Sequence, residues 1–133
     1  MKAAWQPLAD GAILQQRAGL LAAIRQFFAE LRVLEVETPL LSTAANTDPA
    51  IQSFQLASAA NDEPDRYLHT SPEFAMKRLL AAGSGAIYQV CKVFRQEELG
   101  PRHHREFTLL EWYQPGYDHR RIRRHGLLAN KHF

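Results

Sequence analysis

The chain has 133 residues, 46% of them hydrophobic, and a formal net charge of +2, which leaves room for one modest domain at most. Its single cysteine, Cys91, excludes an internal disulfide, and no stretch approaches the roughly 20 apolar residues of a membrane span. Residues 1–118 hold all 14 acids against 11 Lys and Arg, a net of −3, whereas residues 119–133 hold five basic residues and no acid, so the basic balance belongs to the tail. A reducing cytoplasm is the expected compartment, and the opening MKAAWQPLADGA lacks the apolar run of a signal peptide.

Ile13, Leu14, Leu20, Leu21, Ile24, Phe27, Phe28 and Leu31 recur at three- and four-residue spacing, which predicts a helix over residues 12–32 with Asp10 as its N-cap. Residues 33–38 read as a short strand ended by Pro39. Residues 42–66 are rich in Ala, Ser, Asn, Asp and Pro, and read as loops around one short strand near residues 51–56. Residues 67–70 form a further short strand. Ser71-Pro72-Glu73 has the composition of a helix start, with Ser71 as cap, Pro72 at the first helical position and an acid in the first turn. That helix runs to Gly83. Residues 86–94 and 106–113 are the strands of a hairpin opened by Leu99-Gly100-Pro101.

The hairpin, FRQEELGPRHHREFTLLEWY over residues 94–113, carries the chemistry. Strand side chains alternate faces, so Arg95 and Glu97 are expected on one face, as are Phe107, Glu111 and Tyr113. The set offers a cation for phosphate, a ring for a base, and carboxylates for ammonium groups. The ordinary alternatives are a surface pair between Arg95 and Glu97, core packing of Phe107, and simple capping at residues 71–73. A metal site from His69, His103, His104 and Glu106 matches no recognised ligand spacing, and none is expected.

Together these segments resemble the catalytic core of the class II aminoacyl-tRNA synthetases. The helix leading into LEVETPLL (residues 34–41) is similar to that class's first motif, and FRQEE…EFTLLEWY to its second. HTSPEFAMKRLL (residues 69–80) is similar to the amino-acid-binding segment of the lysine-specific branch, and LEWYQPGYD to lysyl-tRNA synthetase paralogues that modify elongation factor P. The resemblance covers nearly all of residues 12–118. It implies an α+β fold: a partial class II catalytic domain, with a mainly antiparallel sheet flanked by helices, truncated before the third motif. Residues 1–118 are then the N-terminal part of that domain, and residues 119–133 a basic, non-matching tail, out of frame or disordered.

The function implied is activation of (R)-β-lysine with ATP as an acyl adenylate, then ligation to a lysine of elongation factor P. Arg95 is the implied catalytic residue. Arg95, Gln96, Glu97, His103, His104 and Phe107 are the implied ATP contacts, and Ser71, Pro72, Glu73, Glu111 and Tyr113 the implied substrate contacts. Phe27, Phe28 and Pro39 belong to an implied homodimer interface. Mg²⁺ is implied as well, with its ligands in the part that follows. His104 and Arg105 depart from the family's Asn-Pro, which puts the ATP role of His104 in question. With no anticodon-binding domain, tRNA is not an expected partner, and neither is a membrane. Two alternatives stay open: a piece of a lysyl-tRNA synthetase charging tRNA with lysine, and a non-catalytic fragment whose arginine-rich tail binds nucleic acid.

Overall fold

A computed structural model describes residues 5–7, 9–57, 64–98, 100–101 and 103–123. They fall into two units, one formed by Met1–Val33 with Gly116–Phe133, the other by Leu34–Pro115.

The first unit is built on helix α1, Gly11–Glu30. Asp10 caps it as the sequence predicts, its Oδ1 accepting the Ile13 N–H at 2.9 Å. The helix ends slightly earlier than predicted. Val33 N–H reaches Phe28 O at 2.9 Å and Arg32 N–H reaches Ala29 O at 3.0 Å. This closing pattern requires a left-handed residue, here Arg32 at φ 56°. Ile24 and Phe28 are the buried residues of α1. The described start of the basic tail is helical over residues 119–123, with Asp118 Oδ1 accepting from Arg121 N–H at 2.9 Å and the Arg121 guanidinium lying over the Tyr117 ring. Residues 124–133 lie outside the described set.

The second unit holds two three-stranded sheets. In the first, β5 (Ile87–Phe94) is central, with β1 (Leu34–Glu35) parallel on one side and β6 (Glu106–Tyr113) antiparallel on the other. The strand predicted over residues 33–38 is thus paired only briefly, although Val36 N–H still reaches Tyr88 O at 2.9 Å. The β5–β6 ladder pairs Ile87 with Tyr113, Gln89 with Glu111 and Val93 with Phe107. Paired residues share a face, so Gln89, Cys91, Phe107, Leu109, Glu111 and Tyr113 stand together on one surface of the hairpin.

In the second sheet, β4 (Arg66–Leu68) lies between β2 (Leu41–Ser42) and β3 (Gln55–Leu56), all antiparallel. β2 is not predicted by the sequence, and its second residue, Ser42, is the first of the stretch read as loop. It forms because the chain after Pro39 returns alongside β4. His69 joins the sheets: its N–H bonds Leu40 O at 2.9 Å and its carbonyl accepts Phe94 N–H at 3.1 Å. Its Nε2 also lies 2.7 Å from Lys92 O; a carbonyl only accepts, so Nε2 carries the proton.

Helix α2, Glu73–Ala81, follows. It begins one residue later than predicted, with Pro72 in the cap position and no side-chain cap bond from it. Ser71 still contributes, Oγ accepting Glu73 N–H at 3.4 Å. The helix closes on Gly83 at φ 87°, with Ser84 N–H to Leu79 O at 3.1 Å and Gly83 N–H to Leu80 O at 3.0 Å. Met76, Ile87 and Val93 are fully buried and form the core of this unit with Pro72 and Tyr88. Two polar residues are buried with them, Thr70 and Gln89. Gln89 is satisfied by Thr38, whose Oγ1 donates to its Oε1 at 3.0 Å.

Candidate active site

The hairpin face, the start of α2 and the loop before β3 enclose a cavity of about 490 Å³. Of the residues singled out by sequence, Ser71, Glu73, Arg95, Glu111 and Tyr113 line it together. Pro72 packs into the core beside it, with a fully buried side chain. A cavity of about 660 Å³ lies between residues 37–47 and α2, and takes in Pro39, Leu41, Phe74 and Leu79. Its lining is mainly apolar, whereas the smaller cavity faces Arg95 with three carboxylates and the Tyr113 hydroxyl, so the smaller one is the candidate site.

Arg95 sits just past the end of β5, although its N–H still bonds Arg105 O at 2.9 Å. Its Nε donates to Thr70 O at 3.3 Å and its guanidinium lies 5.1 Å from the centre of the Phe107 ring, a cation–π arrangement. Its carboxylate partner is Glu98, with Nη1 3.3 Å from Oε1, and not Glu97. The strand has ended: Gln96 N–H bonds Gln52 O at 3.0 Å, and Gln96 and Glu97 form an exposed turn. Alternation therefore does not put Glu97 beside Arg95, which corrects the expectation that both stand on one strand face. Phe107 meets Arg95 across the hairpin, a contact that alternation along either strand alone did not specify. His103 and His104 are exposed and are not part of the cavity lining.

Tyr113 donates its hydroxyl to Glu111 Oε1 at 2.7 Å. Burial first, then this bond and the charges of Glu111 and Glu73, push the phenol well above its ordinary range, so it remains a donor at any physiological pH. Burial, and next the Glu111 charge, raise the Cys91 thiol to about 11, with a Gln89 hydrogen bond opposing. Glu73 is also held by Lys77 at 2.5 Å.

Asn46, Asp48, Ile51 and Thr70 complete much of the lining, and sequence reading did not single them out. Their loop is built by short polar side chains acting on nearby backbone. Ser53 Oγ accepts Asn46 N–H at 3.0 Å. Asn46 Oδ1 accepts Asp48 N–H at 3.3 Å, and Asp48 Oδ1 accepts Ala50 N–H at 2.9 Å. The Asn-Thr-Asp-Pro run at residues 46–49 signalled turns, but nothing local showed that they fold over the hairpin.

The cavity thus sets three carboxylates, Asp48, Glu73 and Glu111, against one guanidinium, Arg95. Such a lining suits a small molecule bearing ammonium groups at one end and an anionic group at the other. Among the described residues no group of three or more His, Cys, Asp or Glu is arranged to hold a metal ion. Of the expected interface residues, Phe28 is buried within the chain at 3% exposure. Phe27 is half-buried with its ring edge-on to Phe28, 5.2 Å between centres, and Pro39 is exposed.

The family model for class II tRNA synthetases (D, K and N) matches residues 9–125. An elongation factor P–(R)-β-lysine ligase of Vibrio campbellii is 52% identical over 125 residues, covering 92% of this chain and 39% of that protein. Proteins of the same name from Erwinia tasmaniensis and Pseudoalteromonas translucida are 54% and 55% identical over 90% and 86% of this chain. The chain spans under two fifths of the length of these relatives, 36–39%. A family match over most of the sequence shows that the chain belongs to the class II tRNA synthetases of the D, K and N group.

Proposed function

We propose that this chain supplies the lysine-binding wall and the first phosphate contact of a ligase. That ligase activates (R)-β-lysine with ATP and transfers it to a lysine of elongation factor P. The observation that carries this reading is one cavity that sets Arg95 against the acidic wall of Glu73, Glu111 and Asp48, with the Arg95 guanidinium also lying over the Phe107 ring. The names of the relatives supply the substrates. A carboxylate oxygen of β-lysine attacks the α-phosphorus of ATP, and the bond to pyrophosphate breaks. The amine of the acceptor lysine then attacks the acyl carbon and AMP leaves. Arg95 would hold the α-phosphate and the substrate carboxylate, where a planar guanidinium offers paired hydrogen bonds. Phe107 would stack on adenine. Glu73, Glu111 and Tyr113 would receive the ammonium groups. Gln96, Glu97, His103 and His104 enter only if the exposed turn closes over the nucleotide.

A cytoplasmic site of action and assembly as a homodimer belong to the same proposal. Among the described residues no helix is long and apolar enough to cross a membrane, and exposed Ile13, Leu14 and Leu20 on α1 offer apolar surface that a second copy would cover.

Titrating the pure chain with ATP and with (R)-β-lysine, each followed by NMR shift changes, tests the reading. Shifts should cluster at Arg95 and Phe107 for ATP and at Glu111 and Tyr113 for β-lysine. Arg95→Lys should weaken ATP by about tenfold, because an ammonium can neither fork nor stack in the same way. Absence of β-lysine binding, or a clear preference for α-lysine, would count against the assigned substrate.

A further inference from the structure

An arginine side chain left to itself spreads over many rotamers, and a ligand that needs one of them must first select it. Arg95 is already confined. Thr70 O takes its Nε at 3.3 Å, Glu98 Oε1 takes its Nη1 at 3.3 Å, and the Phe107 ring lies 5.1 Å from its guanidinium carbon. The Arg95 and Glu98 side chains are only 22% and 35% exposed, so this pair is better shielded than a typical surface pair.

Glu98 has a second neighbour in the loop that follows. The loop folds back through Gly100 N–H to His103 O at 3.3 Å and His103 N–H to Gly100 O at 3.2 Å, which leaves His103 Nε2 4.0 Å from the second oxygen of Glu98. A guanidinium has five N–H groups, and these contacts commit two. Among the described residues Nη2 has no partner. Glu98 touches one nitrogen rather than forking across two, so it orients the group without closing the edge that an anion would use.

We propose that Glu98 is a positioning residue for Arg95. It holds the guanidinium over Phe107 at the cavity wall with Nη2 open to an incoming phosphate. The identity of that anion rests on the nucleotide reading above; the positioning does not.

The test is the side-chain Nε–Hε NMR signal of Arg95, assigned by its loss in Arg95→Lys, measured in the full chain and in Glu98→Ala, Glu98→Gln and Glu98→Asp. The backbone amide spectrum of each variant reports whether it folds. A sharp, slowly exchanging signal is expected in the parent, broad and fast-exchanging in Glu98→Ala and partly restored in Glu98→Asp. ATP affinity should fall about three- to fivefold in Glu98→Ala. An equally sharp signal in Glu98→Ala would overturn the proposal, as would tighter ATP binding, which would make Glu98 a competitor of phosphate. Should Glu98→Ala not fold, Glu98→Gln keeps the shape without the charge and is expected to broaden the signal too; no broadening there overturns the proposal as well. A parent that ignores ATP refutes the nucleotide reading alone, because the Nε signal still decides whether Glu98 positions Arg95.

Discussion

Cys91 stands on the same hairpin face as Glu111, and both its burial and that carboxylate make the thiolate costly, raising the thiol from 9.0 to about 11. The sign is plain: between those two values an ordinary thiol is ionised and this one is not, so at pH 8 its reactive fraction falls about a hundredfold. Iodoacetamide should therefore label this single cysteine about a hundredfold more slowly than a cysteine peptide at pH 8. The rate should still be climbing beyond pH 9. Glu111→Gln should speed labelling, and a rate that levels off near pH 9 would show that the face is wetter than described. At this scale the sequence was informative where alternation held. Phe107, Glu111 and Tyr113 lie on one face of a continuous strand. It misled at Glu97, because the strand ends at Phe94 and one turn exchanges Glu97 for Glu98 as the partner of Arg95.

Helices α1 and α2 end in the same hydrogen-bond pattern with different residues in the left-handed position, Arg32 at φ 56° and Gly83 at φ 87°. Only glycine adopts that conformation without a penalty. Arg32→Gly should stabilise the chain by about 1 kcal/mol and Gly83→Ala should destabilise it by about the same. A Cβ at Gly83 meets nothing within 4 Å, so its cost is conformational alone. Urea melts of the two variants check both signs, and a neutral Gly83→Ala would mean that the turn relaxes. The long elements were legible because each repeats its own period: α1, α2, β5 and β6 were all expected within two residues of where they lie. The two-residue strands β1, β2 and β3 are too short to show a period. Partners distant in sequence define them, which is why β2 was not read as a strand and the turns carrying Asn46 and Asp48 were not connected to the site.

Within the described residues β6 pairs only with β5, so an eight-residue strand presents one unpaired edge. The anionic side of the proposed reaction also rests on one arginine, while the relatives are more than twice as long. Pyrophosphate leaves with several negative charges, and stabilising them with a single shared guanidinium is insufficient by the usual measure of phosphoryl-transfer sites. The pure 133-residue chain, given ATP, Mg²⁺ and (R)-β-lysine, should release no pyrophosphate above the blank in a coupled assay, even where it binds both substrates. Turnover would show that the contacts described here suffice. The open edge should also make the chain associate as its concentration rises, visible by sedimentation velocity.

His69 gives the second unit a timing property. Its backbone bonds Leu40 on one side and Phe94 on the other, and its ring reaches Lys92. A fluctuation that lifts either small sheet has to break bonds at the same residue. The amides of His69 and Phe94 should then exchange with solvent hydrogen as a pair, in one opening event. The next carbonyl along, that of Thr70, holds Arg95, so the rate of that opening would limit how long the guanidinium can stay in place.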